Sequence, residues 1–112
     1  MTVLEVYYET LAEEAKRQKM LAANAAEKGD ARTQSICLMK ASMLGDMLKM
    51  LGRVVYEGKR PNALQSLIDS LNEEAEAQYK RGDYDAADRA EQKAATIQFA
   101  IDALEEAKSR GE

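Results

Sequence analysis

The stretch AAEKGDARTQ, residues 25–34, decides the fold of this chain. Gly29 suits the left-handed backbone position just past a helix end, and Asp30 is a good N-cap for the helix that follows. The same chemistry returns 53 residues later as Arg81-Gly82-Asp83. Each of the two stretches therefore predicts a tight turn between two helices.

A third break, EGKRPN at residues 57–62, lies between these turns. Pro61 cannot continue the interior of a helix but fits near the start of a new one. The composition agrees with helices, because 19 Ala and 11 Leu stand against only 8 Val plus Ile. The three breaks predict four helices, at residues 3–28, 30–57, 62–81 and 84–109.

Apolar side chains recur at helical steps of three and four in every predicted helix. In helix 1 a polar residue, Gln18, interrupts the stripe. Short loops between long helices force neighbours to run antiparallel. The sequence therefore predicts an all-α protein with a single domain, residues 1–112. Two antiparallel hairpins, 3–57 and 62–109, form a four-helix bundle that assembles with itself.

The two hairpins also resemble each other. With a shift of 53, residues 11–51 and 64–104 share 7 identities in 41 positions, including both Gly-Asp turns. These matches fall on caps and on positions of the apolar stripes. They indicate two hairpins of one geometry.

The segment LNEEAEAQYKRGDYDAADRAEQKAATI, residues 71–97, resembles a tetratricopeptide hairpin. The similar elements are Tyr79, the triplet Gly82-Asp83-Tyr84, Ala87 and Ala94, in that order. The predicted helices are nearly twice the family's usual length, and the closing Pro is missing. The resemblance implies a scaffold for protein–protein interaction.

Composition and charge exclude several classes of function. The chain has no His and one Cys, so the usual general base, the commonest metal ligand and a disulfide are all missing. The formal net charge of −4 argues against a nucleic-acid binder. No apolar run is long enough to span a membrane, and no signal segment is recognisable. We expect a cytoplasmic protein that is not an enzyme and has no cofactor.

Helix 2 carries a second apolar stripe roughly 100° or more around from the first. This stripe predicts an interface for another protein or for a second copy, because Met is common on adaptable binding surfaces. Alternatively, helix 2 is central in the bundle and touches two neighbours. Tyr7 and Tyr8 at the start of helix 1 would extend the surface, or else pack at the bundle end. The stripe comprises Met39, Met43, Met47, Met50 and Val54.

A second possible site is the end of the bundle that holds both Gly-Asp turns. Helix N-termini attract anions, so this end could bind phosphate or a nucleotide. Alternatively, the cations complement helix dipoles, and nearby Asp side chains repel an anion. The candidate anion-binding residues are Lys28, Arg32, Lys80 and Arg81.

The sequence thus predicts a non-enzymatic interaction module, an adaptor, chaperone or inhibitor, that acts as a homo-oligomer through the Met-rich face of helix 2. Small acidic helical proteins of this kind are frequent among phage products that block a host enzyme. The alternative function is the binding or sequestering of a small anionic ligand at the Gly-Asp end.

Overall fold

A computed structural model describes residues 2–56 and 62–110, and it describes side chains for residues 2–49 and 64–110. Four helices, and no strand, make up this part of the chain. Every helix bound lies within one residue of its prediction, and the all-α prediction is confirmed. The helices are α1 (Val3–Glu27), α2 (Ala31–Tyr56), α3 (Asn62–Lys80) and α4 (Tyr84–Arg110).

Both Gly-Asp turns have the predicted geometry. Gly29 has a φ of 74° and Gly82 a φ of 81°, values that favour glycine because it has no Cβ. In the first turn the Gly29 N–H donates to the Ala26 carbonyl at 3.1 Å, and the Asp30 N–H donates to the Ala25 carbonyl at 2.8 Å. The second turn repeats both bonds. This pair of bonds closes each helix end as a Schellman motif.

An aspartate then caps the helix that follows each turn. The Thr33 N–H donates to Asp30 Oδ1 at 3.0 Å, and the Ala86 N–H donates to Asp83 Oδ1 at 3.1 Å. These bonds satisfy backbone donors that a helix start leaves without a partner. The two turns therefore reverse the chain in the same way, and each produces an antiparallel hairpin.

The two hairpins associate through α4. This helix contacts α1, α2 and α3, whereas α3 contacts α4 alone among the described residues. The result is a flat molecule of 45 × 33 × 20 Å. Its radius of gyration, 15.3 Å, exceeds the about 13 Å expected of a domain of this length. The bundle is therefore more open than four mutually packed helices would be.

The central position of α4 rests on two buried stripes about 120° apart around the helix. One stripe follows the predicted apolar spacing and comprises Ala87, Ala90, Ala94, Ile97 and Leu104. The other is made of small side chains, Thr96, Ala100, Ala103 and Ala107. Small side chains let neighbouring helices approach closely, so α4 contacts helices on several sides. The helix with the most neighbours among the described residues is therefore α4, whereas α2, which the sequence offered as a central helix in one of two alternatives, contacts two helices, α1 and α4.

A larger side chain in the second stripe should disturb this packing. We expect Ala100→Leu to lower the free energy of unfolding by about 1–3 kcal/mol, because the added atoms overfill a tightly packed seam. Ala95→Leu is the control, since Ala95 lies on the same helix but is exposed. Urea denaturation of both variants checks the prediction, and equal stability of the two would contradict it.

Candidate interaction surfaces

The predicted Met-rich face of α2 is covered to different degrees within one chain. Met47 is only 7% exposed and belongs to the core, and Met43 is half-buried against that core. Met39 is half-buried as well. The side chains of Met50 and Val54 lie outside the described residues. Met43 and Met47 therefore pack within a single chain, which favours the alternative that helix 2 touches two neighbours. Any surface that the Met-rich face offers to a partner is limited to the other residues of the stripe.

Tyr7 and Tyr8 lie together at the start of α1, in an edge-to-face arrangement with ring centroids 6.2 Å apart. Tyr7 is completely buried, so it presents no surface to a partner, whereas Tyr8 is half-buried. The Tyr7 hydroxyl has no hydrogen-bond partner among the described residues. Burial, with a smaller contribution from Tyr8, raises the pKa of Tyr7 well above its ordinary value of 10.0. Tyr7 therefore packs inside the end of the bundle, which was the alternative to a place on the interaction surface.

The unpartnered hydroxyl leads to a prediction about stability. A buried polar group without a partner costs about 1–3 kcal/mol, so Tyr7→Phe should raise the free energy of unfolding by about 1 kcal/mol. The matched control is Tyr84→Phe, because Tyr84 is exposed and gains nothing from losing its hydroxyl. Thermal unfolding followed by circular dichroism compares them, and a lower melting temperature for Tyr7→Phe would show that the hydroxyl has a partner.

The structure brings the N-termini of α2 and α4 together, as expected for the end that holds both turns. Arg32 on α2 bridges two carboxylates on α4, Asp85 at 3.1 Å and Asp88 at 3.0 Å. Arg89 contacts Asp85 at 3.1 Å and donates to the Ser35 hydroxyl at 3.1 Å. Hydrogen bonding from Arg89, with further contributions from Arg32, holds the pKa of Asp85 below its usual range. The cluster ties the two hairpins together by charge.

This cluster weakens the case for an anion site. An anion at Arg32 would have to displace two carboxylates, and Lys80 already pairs with Glu76 at 3.7 Å. Lys28 is the exposed C-cap residue of α1, and Arg81 is exposed in the second turn. The structure thus adds no support to the anion-binding alternative.

A small pocket of about 100 Å³ lies where α1, α2 and α4 meet. It contains the two buried polar side chains, Gln18 and Thr96. Gln18 donates to Glu14 at 2.9 Å, and the Thr96 hydroxyl donates to the Gln92 carbonyl at 2.8 Å. The pocket is smaller than the 150 Å³ cavity that admits benzene, so it has room for a few waters. Gln18, which interrupts the apolar stripe of α1, is thereby explained as a residue that points into this wet junction.

An exposed apolar site that the sequence did not predict lies on α1. Met20 is 61% exposed and Leu21 38% exposed. They line a depression of about 330 Å³ together with Lys16 and Arg17. Sequence reasoning missed this site because it followed the core stripe. One feature of the sequence could have predicted this site: a Met-Leu pair lies beside the core stripe of α1, close to two cations.

The path of α4 explains why this part of α1 is uncovered. The N-terminal turns of α4 contact α2 through Arg32, whereas its C-terminal turns share a cavity with Val6 and Thr10 of α1. Because α4 crosses the first hairpin in this way, it lies beside α1 from Val6 to about Gln18 and leaves the outer side of the later turns uncovered. A second groove, of about 500 Å³, remains beside the N-terminal half of α1 and is lined by Val6, Glu9, Thr10, Glu13 and Arg110.

Comparison with family models, curated proteins and solved structures finds no match to this chain. The resemblance of residues 71–97 to a tetratricopeptide hairpin therefore stays a prediction. Within residues 2–56 and 62–110, no helix is both long and apolar enough to cross a membrane. In that same part of the chain, no group of three or more cysteine, aspartate or glutamate side chains is placed to hold a metal ion.

Proposed function

We propose that this chain is a protein–protein interaction module that works as an assembly of identical copies. The observation that carries the proposal is its excess surface. The accessible surface is 7213 Å², whereas a folded monomer of 12.4 kDa is expected to expose about 6,100 Å². The difference, roughly 1,100 Å², is close to the about 800 Å² that each partner buries in a stable interface.

The distribution of apolar side chains supports the same proposal. Large hydrophobic side chains remain exposed on all four helices, among them Met20 on α1, Leu38 on α2 (48%), Leu67 on α3 (47%) and Tyr84 on α4 (66%). The core beneath them is thin, because most of the buried side chains of α4 are alanines that bury little area each. A domain of this length gains much of its further stability by covering such side chains with another chain.

The proposal is tested by measuring mass in solution. We expect light scattering after size exclusion to give at least twice 12.4 kDa, with the mass falling on dilution. A mass of one chain at every concentration, up to the highest that the protein tolerates, would overturn the proposal. The role of the assembly as an adaptor, chaperone or inhibitor is then tested by capture of a cellular protein with the assembled form.

A further inference from the structure

We infer that the copies meet through α1, which lies antiparallel against α1 of a second copy around a two-fold axis. The inference rests on the proposed self-assembly and specifies the surface that mediates it. Three features of α1 carry it: the separation of its charges, the symmetry of its outer face, and the groove beside its N-terminal half.

The charges of α1 are separated along the helix. Its first half carries Glu5, Glu9, Glu13 and Glu14 with no cation, and the next turns carry Lys16, Arg17 and Lys19 with no carboxylate. Glu5 belongs to the N-terminal cap, since it exchanges hydrogen bonds with Thr2. The helix dipole acts only within the first and last turns. The dipole therefore does not account for the charges in the middle of α1, of which Arg17 pairs with Glu14 at 2.8 Å, and the last turn of α1 carries no basic residue.

The outer face of α1 is complementary to itself. The proposed two-fold axis passes at the height of Ala15 along the helix. Residue n of one copy then lies opposite residue 30 − n of the other copy. Arg17 then faces Glu13, and Met20 faces Thr10. The same pairing recurs on the other side of the axis, as an isologous two-fold interface requires. Glu13, Arg17 and Met20 are all exposed, and Arg17 keeps most of its side chain in solvent although it pairs with Glu14 of its own helix at 2.8 Å.

The groove beside the N-terminal half of α1 provides space for the exposed apolar pair. Its volume of about 500 Å³ accommodates the Met20 and Leu21 side chains of the second copy. The charge of the groove fits as well. Arg110 is neutralised by Glu106 at 2.8 Å, so the carboxylates of Glu9 and Glu13 remain to attract the cations next to Met20. Opposite charges that meet across an interface fix its orientation.

The test uses two variants with reversed charge. Lys16→Glu with Arg17→Glu makes the outer face of α1 acidic throughout, and Glu9→Lys with Glu13→Lys makes it basic. Glu and Lys have similar helix propensities and these positions are exposed, so both variants should stay folded by circular dichroism. Alone, each variant should self-associate more weakly than the unmodified chain, on the order of tenfold or more. Mixed in equal amounts, the two should form a heterodimer, because both contacts then join opposite charges.

A matched control reverses charge elsewhere. Glu73→Lys with Glu76→Lys changes two exposed carboxylates on α3 and should leave the mass unchanged. If the unmodified chain assembles but both α1 variants keep its mass, the inference is wrong while the proposed function stands. Variants that dissociate alone but fail to pair in the mixture also overturn the antiparallel arrangement. A monomeric unmodified chain overturns both proposals.

Discussion

Replacing Met47 with Glu is expected to destabilise the fold strongly. Met47 belongs to the core cluster, together with Tyr7, Leu44 and Ile97. An ionised carboxylate there would be buried without a partner, and the loss of stability should exceed about 4 kcal/mol. Small domains have a total stability of about 5–15 kcal/mol, so this one change would remove between about a quarter and nearly all of it.

The matched control for this variant is Leu38→Glu, the same new charge on the same helix at a half-exposed position. We expect it to change the free energy of unfolding by no more than about 0.5 kcal/mol. Circular dichroism and urea denaturation compare the two. A folded, helical Met47→Glu variant that has lost only its assembly would show instead that the Met-rich face of α2 is an interface.

Replacing Ile97 with Ala is expected to cost about 2–5 kcal/mol. Ile97 is one of four large side chains that are fully buried, and it is the one on α4. Its buried neighbours on that helix are mostly alanines, which are too short to reach into the space that it leaves. The empty cavity should therefore lower the free energy of unfolding considerably, and the total loss should lie toward the upper end of this range.

A graded series checks this explanation. Ile97→Val removes one methyl group and should cost about 0.5–1.5 kcal/mol. Urea denaturation of the two variants should give parallel transitions with the midpoints in that order. Equal, small losses in both would indicate that the helices around α4 close over the cavity, which contradicts the tight packing described above.

The local structure could be predicted closely from the sequence. Gly29 and Gly82 set the turns, Asp30 and Asp83 set the helix starts, and these signals depend on a few neighbouring residues only. The neighbour relations between helices could not be predicted in the same way. The Met residues of α2 left two alternatives open, an interface or a central place for this helix, because large apolar side chains dominate a count of hydrophobic positions. Alanines contribute little to such a count. Ala100, Ala103 and Ala107 nevertheless let α4 lie close to its neighbours, because their side chains are small.

The candidate site illustrates the same limit. Arg32 was identified as a possible anion ligand from its place near a helix start. Its two carboxylate partners, Asp85 and Asp88, are more than fifty residues away in the chain, and their contacts depend on how the hairpins cross. Met20 and Leu21 are exposed for the same reason, since only the path of α4 decides which half of α1 is covered.

The central position of α4 also has a consequence for synthesis. The first hairpin is complete when Tyr56 has left the ribosome. Helix α4, which connects this hairpin to α3, ends 54 residues later, at Arg110. At about 5–20 residues per second this interval lasts roughly 3–10 s. Until α4 is complete, the sides of α1 and α2 that pack against it stay exposed to water, because the alanines that cover them have not all been made. A ribosome stalled within α4 should therefore display a protease-sensitive nascent chain, and protection should arrive late and in one step.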